Sequence, residues 1–281
     1  MKLQKATRKK VKLRLGLSAV AGGGKTFSAL LLAKGLVGNW DKVAVIDTEN
    51  GSASLYSHLG DFNTLELTAD FTPEKYIEAI KACEDAGMEA IIIDSITHEW
   101  DGKGGIIDIS NSMTGNSFTN WAKITPRHQA FIDAILQSKC HVITTVRRKQ
   151  DYEMSKDSGG KLKVEKAGLK EVTREGFEYE LTVNFNLDEK HNCTASKDRT
   201  GMFMDKPQFT ITEQTGEMIR KWCEDGIEPV DEVEKAIKEL YECSDVEELS
   251  MLKITLSNNV ITNSKFKLEA TKRFNELKPA S

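Results

Sequence analysis

The chain has 281 residues, a net charge of −4, 39% hydrophobic and 29% charged residues: room for one large α/β domain and a small appendage, without a global nucleic-acid charge signature. No apolar run approaches the roughly 20 residues that span a bilayer, and the start "MKLQKATRKKVKLRLGL" lacks the apolar core of a secretory signal, so a cytoplasmic setting and no membrane partner are expected. Five scattered cysteines (Cys83, Cys140, Cys193, Cys223, Cys243) form no CxxC pair and keep no ligand spacing to a histidine, which excludes a disulfide framework and a zinc site.

The chain opens on a basic arm with Lys2, Lys5, Arg8, Lys9, Lys10, Lys12 and Arg14 and no acid before Asp41. Two readings stay open for it: a salt-sensitive phosphate-neutralising arm, or a solvated tail. "VKLRLGLS" then alternates, with Val11, Leu13, Leu15 and Leu17 on one face and Lys12, Arg14 and Gly16 on the other, and predicts a strand. Next come three glycines and "TFSALLLAKGLVGN", a helix stopped by Gly38-Asn39. Residues 19–26 fit G-x-x-x-x-G-K-[ST], with Ala19 in place of the first glycine. A helix start offers unpaired N–H groups and about half a positive charge. Glycines let those N–H groups curl around an anion. Ala21, Gly22, Gly23, Gly24, Lys25, Thr26 and Phe27 are therefore the candidate nucleotide-binding residues, with Lys25 on the β- and γ-phosphates and the Thr26 hydroxyl on Mg²⁺.

Two buried strands follow, each ending in acid. "VAVI" (43–46) leads into Asp47 and Glu49, and "AIII" (90–93) into Asp94, the second candidate Mg²⁺ ligand. Ser95 occupies the position where many P-loop ATPases carry a catalytic Glu. Glu49 is taken as the group that orients or deprotonates water, with Glu99 as the competing acid and Asp47 as a turn cap. Between these strands, "TPEKYIEAIKACEDAG" predicts a helix capped by Thr72.

Residues 101–117 read as a glycine-rich polar loop, 116–138 as a helix interrupted near Pro126, and "CHVITTV" (140–146) as another buried strand. The alternation implies a mostly parallel sheet with helices on both faces. From Arg147 to Arg174 cations outnumber acids, and Ser158-Gly159-Gly160 marks a hairpin tip. "CTASKDRT" predicts a late strand that places Lys197 and Arg199 on one face, either reaching outward or paired with Glu178 and Glu180. Gly226 and Pro229 mark a joint, giving a core of residues 1–226 and a small helical region, 227–281, with helices starting at Ser244-Asp245 and Asn263-Ser264. The five histidines share no spacing and read as structural, His98 least securely.

"AGGGKT", "VIDTENGSA", "IIIDSITHEW" and "TREGFEYELTVNFNLDEKHNCTASKDRTGMF" together resemble the core of RecA-like P-loop ATPases, over roughly residues 10–205. The nearest likeness is to bacteriophage RecA-like ATPases of single-strand annealing and recombination, and "SKDRTG" is similar to the Lys-x-Arg-x-Gly motif of RadA-type relatives. The resemblance implies a RecA-like fold with late antiparallel strands, ATP and Mg²⁺ as cofactors, and Glu49 as the catalytic acid. It implies a homo-oligomer, filament or ring, in which Lys197 and Arg199 complete a neighbour's site. Single-stranded DNA is the implied partner, with a single-strand DNA-binding protein as a further one. The basic hairpin would face the DNA through Arg147, Arg148, Lys149, Tyr152, Lys161 and Lys163. The chain departs from the family after its fourth core strand, where Thr144 and Thr145 stand instead of the usual Gln sensor. The residues alone also leave open a P-loop phosphotransferase and a non-hydrolysing nucleotide-binding module.

Overall fold

A computed structural model of the protein describes residues 5–156, 162–227 and 232–278, and for residues 152–156, 162–165 and 167 it describes the backbone alone. The chain divides into two compact units, residues 11–225 and residues 1–10 with 226–281.

The larger unit is built on an eight-stranded sheet: β1 (Arg14–Ala19), β2 (Val43–Asp47), β3 (Asn63–Glu66), β4 (Ala90–Asp94), β5 (His141–Lys156), β6 (Leu162–Glu171), β7 (Val183–Leu187) and β8 (Cys193–Asp198). The order is β3-β2-β4-β5-β1-β7-β8, with β6 paired to β5 alone. Pairings from β3 through β7 are parallel; β5–β6 and β7–β8 are antiparallel. This is the α/β class that the alternation of elements predicts.

Continuous apolar runs such as "VAVI" and "AIII" arise because both sheet faces are covered. Val43, Val45, Ala90 and Ile92 face a core shared with α1 (Lys25–Val37) and Ile219 and Cys223 of α7 (Glu213–Glu224). Their neighbours Ala44, Ile46, Ile91 and Ile93 face the opposite core, with α2 (Pro73–Asp85) and α5 (Ser117–Gln137). Helix α1 meets α7 at a glycine pair. A Cβ on Gly35 would lie 2.0 Å from the Glu213 carbonyl oxygen and 2.8 Å from the Gly216 Cα.

Short helices α3 (Thr97–Asp101), α4 (Ile106–Ser112) and α6 (Phe177–Glu180) fill the connections. Helix α4 lies inside the segment expected to be a loop. Helix α5 runs unbroken through Pro126, contrary to the expected interruption. A mid-helix proline costs about 3 kcal/mol. Burying Ile124, Phe131, Ile132 and Ile135 on one face offsets it, at about 1.5–3 kcal/mol for each large side chain. The C-terminal end of α5 is closed by the buried Arg14, which donates to the carbonyls of Leu136 (3.2 Å), Cys140 (2.8 Å) and Ser138.

In the smaller unit, α8 (Glu232–Glu242), α9 (Val246–Thr255), α10 (Asn258–Thr262) and α11 (Ser264–Leu277) enclose a core of Ala236, Leu240, Val260, Phe266 and Ala270. Asp245 and Asn263 cap α9 and α11, receiving N–H groups at 2.8 Å and 2.9 Å. The basic arm up to Lys10 groups with this unit, whereas Lys12 and Arg14 lie in the larger one, so the arm is split where the sequence reading kept residues 1–226 together. Its backbone pairs with Ile227, through Lys10 N–H to the Ile227 carbonyl (2.9 Å) and Ile227 N–H to the Arg8 carbonyl (3.1 Å).

Gly35→Ala should lower stability by about 2–3 kcal/mol, read as a shifted urea midpoint. A second test concerns His141, whose Nδ1 accepts the Leu13 N–H at 3.0 Å. Burial, with Lys12 and Arg14 nearby, lowers its pKa to about 3. The unfolded chain takes up this proton below about pH 6.5 and the folded chain only near pH 3, so stability is lost as pH falls through that window. Between pH 7 and 5 the protein should lose about 2 kcal/mol more than His141→Gln, which keeps an acceptor but cannot be protonated.

Candidate active site

The parallel register brings four strand ends to one edge of the sheet: Asp47 lies opposite Asp94, Ile93 opposite Thr144, and Ala19 opposite Arg147. The glycine loop leaves β1 at this edge. Gly22 and Gly24 take φ of +78° and +80°, which a residue with a Cβ adopts at a cost. Gly24 precedes α1, whose start has no side-chain cap and no acid in its first turn, so its N–H groups stay available to an anion. The departure at Ala19 is accommodated by Gly23: a Cβ there would come within 2.7 Å of the Ala19 methyl. Ala21 and Phe27 are exposed beside the loop. The Lys25 ammonium braces the loop from below, donating to the Val20 carbonyl (3.1 Å) and more weakly to Ala19 (3.4 Å), and burial lowers its pKa.

Asp94 is 2% exposed. Thr26 Oγ1 donates to Oδ2 and Thr145 Oγ1 to Oδ1, both at 2.5 Å. Burial raises its pKa, and the two hydroxyls oppose that. Thr145 escaped the sequence reading, although Thr144-Thr145 stood out there as a departure. A hydroxyl at that strand end was the available signal.

Glu49 is delivered by a turn that Asp47 holds. The Asp47 carboxylate accepts the N–H groups of Glu49 (2.6 Å) and Ala53 (2.7 Å), which matches its reading as a turn cap. Thr48 N–H bonds the Asp94 carbonyl (2.8 Å), tying the two strand ends together. Glu49 then sits beside the loop, with Ser95 Oγ donating to Oε1 at 3.3 Å and Arg147 Nη2 ion-paired with Oε2. The competing acid lies elsewhere. Glu99 is 1% exposed, and both its oxygens lie 3.0 Å from Nδ1 of the buried His128. His98 is held structurally, 2.8 Å from Thr48 Oγ1 and stacked on Phe71.

Beside Gly22, Gly24 and Lys25 opens a cavity of about 470 Å³, walled by Phe27, Tyr56, His191, Thr210 and Ile211. The Phe27 and Tyr56 rings stand 6.0 Å apart. Tyr56 carried no motif and His191 was read as structural; the fold brings them together.

The residues expected to meet DNA are dispersed. Arg147 ion-pairs with Glu49 instead of extending into the hairpin, because its strand position falls beside the glycine loop. Arg148 donates to the Leu169 carbonyl (2.9 Å), and Lys149 lies 3.6 Å from Asp101. Lys161, the hairpin tip at 158–160, and the side chains of Tyr152 and Lys163 lie outside the described residues. On β8, the Lys197 Nζ is buried without a hydrogen-bond partner among the described residues. Burial, and then Arg199, lowers its pKa. Arg199 lies one residue past the strand, where Asp198 turns the chain, and donates to the Tyr179 carbonyl at 3.1 Å.

The oxygens of Thr26 and Asp94 suit Mg²⁺, a hard cation that takes one or two protein ligands and completes its shell with water and phosphate. Among the described residues no group of three His, Cys, Asp or Glu is placed to hold a metal ion. A strand, glycine loop and helix, with a carboxylate from the end of β4, one strand further along the sheet, on the Thr after the Lys, define a P-loop nucleoside-triphosphatase domain. A family model described as an AAA domain matches residues 11–212, and the chain belongs to that family of ATPase-type domains. No curated protein matches the chain. Among the described residues no helix is long and apolar enough to cross a membrane.

Lys25→Ala should weaken binding of a fluorescent ATP analogue by about 30- to 100-fold, the loss of one charge-assisted phosphate contact, as read by titration.

Proposed function

We propose that this domain is an ATP- and Mg²⁺-dependent RecA-like ATPase that assembles on single-stranded DNA and promotes annealing or strand exchange in phage-type recombination. The observation that carries the hydrolytic part is the placement of Glu49 beside Asp94 and the glycine loop, on strands in register at Asp47 and Asp94. The loop N–H groups and Lys25 would hold the phosphates, and the cavity of Phe27, Tyr56 and His191 would take the base. Thr26 and Asp94 would hold Mg²⁺, which supplies charge neutralisation at the phosphates. Glu49 orients a water and accepts its proton. The water oxygen bonds to the terminal phosphorus as the bond to the bridging oxygen breaks, leaving ADP and phosphate.

Oligomerisation and DNA rest on the sequence likeness and on two supporting features. The Lys197 Nζ has no hydrogen-bond partner among the described residues, which suits a charge meant for a neighbour's nucleotide. The β5–β6 hairpin carries exposed cations such as Lys149, Lys166 and Lys170 on a chain of net negative charge. Lys197 and Arg199 are assigned to the neighbour's site, and Arg148, Lys149, Tyr152, Lys161 and Lys163 to the DNA. A single-strand DNA-binding protein is a further candidate partner.

Phosphate release, measured with and without single-stranded DNA, tests the reading. Turnover should rise with DNA and fall by about 100-fold or more in Glu49→Gln and in Lys197→Ala. Mixing the two variants should restore activity, because their defects lie on opposite sides of one interface. A phosphorylated acceptor in place of free phosphate, or intact ATP binding without turnover, would sink it.

A further inference from the structure

Strand β7 runs between β1 and β8 and is buried almost throughout, yet its sequence "VNFNL" alternates. Val183, Phe185 and Leu187 face the core shared with α1. Asn184 and Asn186 face the other side of the sheet, where β2 and β4 present Ile46, Ile91 and Ile93. Asn184 is 2% exposed. Gly16 of β1 makes room for it, since a Cβ there would lie 2.1 Å from Asn184 Oδ1. A buried amide is tolerated only where its hydrogen bonds are met. Asn184 Nδ2 donates to Glu171 Oε1 (3.1 Å) and Ser196 Oγ (3.0 Å), and Asn186 Oδ1 accepts the Ser18 hydroxyl at 2.6 Å. Glu171, Asn184, Asn186 and Ser196 line a cavity of about 290 Å³ between β7, the base of the β5–β6 hairpin and residues 173–179.

Arg148 of β5 reaches the same cavity, and it stands directly opposite Glu171 of β6. Opposite charges in that relation ordinarily pair. Here Arg148 Nε and Glu171 Oε2 are each buried without a hydrogen-bond partner among the described residues. Arg148 Nη2 is taken by the Leu169 carbonyl at 2.9 Å, and Glu171 Oε1 by Asn184. What is left is one N–H donor beside one carboxylate oxygen, and leaving both unmet is costly. Around the cavity Arg148, Lys170 and Arg174 balance Glu171, Glu175 and Glu178, so the lining carries no net charge to attract a phosphate or another ion. A neutral molecule fits, with an N–H for Glu171 and a carbonyl oxygen for Arg148 side by side, as on the edge of a cyclic amide. Tyr179 and Leu169, exposed residues of the lining, suit a flat ring.

We infer that this cavity is a second small-molecule site, separate from the one beside the glycine loop, and that it takes a neutral cyclic amide. The ligand N–H donates to Glu171 Oε2, and its carbonyl oxygen accepts the Arg148 Nε–H. Only the buried Nε of the half-buried Arg148 side chain is used. The alternation of β7 and the glycine at position 16 follow from the same site: a polar floor has to be packed against β1. The inference does not draw on the ATPase reading.

The test is equilibrium dialysis of the full chain against radiolabelled uracil, a flat cyclic amide. A saturating non-hydrolysable ATP analogue with Mg²⁺ keeps the probe out of the glycine-loop cavity. Uracil should bind saturably, at one molecule per chain, with Kd below about 1 mM. Unlabelled 1,3-dimethyluracil keeps the ring and both carbonyls but has no N–H, and should compete about 10-fold more weakly than unlabelled uracil, the loss of one hydrogen bond to a charged group. Glu171→Gln, which exchanges the charged acceptor for an amide, should weaken uracil by a similar factor. The comparison of the two competitors needs no variant, so it decides even where Glu171→Gln does not fold. No saturable uracil binding up to about 10 mM would leave the cavity to water and overturn the inference. So would equal competition by the two compounds, or uracil binding unchanged in Glu171→Gln, which would place the probe elsewhere. None of these outcomes bears on phosphate release, so the ATPase reading stands or falls separately.

Discussion

One buried carboxylate organises the carboxyl edge of this sheet. Asp94 is out of solvent, and a carboxylate there is tolerable only with hydrogen bonds on its oxygens. The two hydroxyls that satisfy it come from opposite directions, Thr26 from the first turn of α1 and Thr145 from β5. Satisfying Asp94 therefore fixes the glycine loop and its helix against the central strands. The same carboxylate oxygens that settle the fold are the ones a magnesium ion would share. Stability and nucleotide chemistry meet at one side chain.

Around that point the site is assembled by register rather than by neighbourhood in the chain. Asp47 spends its charge on two backbone N–H groups and so builds the turn that presents Glu49. Thr48 locks that turn to the Asp94 carbonyl. Arg147 enters from β5, 98 positions from Glu49, because residues at parallel strand ends share an edge. The other acid near Asp94 shows the converse. Glu99 follows the same strand, yet α3 turns it inward onto His128, where burial raises its pKa.

Strand β5 divides its length between two environments. From His141 to Val146 it is buried between β4 and β1, and its apolar residues face both cores. From Arg148 onward it has a single antiparallel partner. The composition changes at the same place, from "HVITTV" to "RRKQDY". A strand buried on two faces must be apolar, and a two-stranded projection must be solvated. Arg147 falls at the boundary and inherits a partner from the core and neighbours in the projection.

Much of this was legible in the residues themselves. Period-two and continuous apolar runs located β1, β2, β4 and the first part of β5; the glycines located the loop; Thr72, Asp245 and Asn263 located helix starts. Each of these signals is local, since dihedral preference, capping and alternation act over a few neighbouring positions. Local signals failed in α5, where burial overruled Pro126, and in α4 within a glycine-rich segment. Only the tertiary structure decided that Thr145 completes Asp94, that Arg147 meets Glu49 rather than the hairpin, that Glu99 turns away, and that Tyr56 and His191 share a wall. Those partners lie dozens of residues apart, and parallel strands acquire their neighbours through crossovers whose register is set by packing of the whole sheet, which no short stretch of chain encodes.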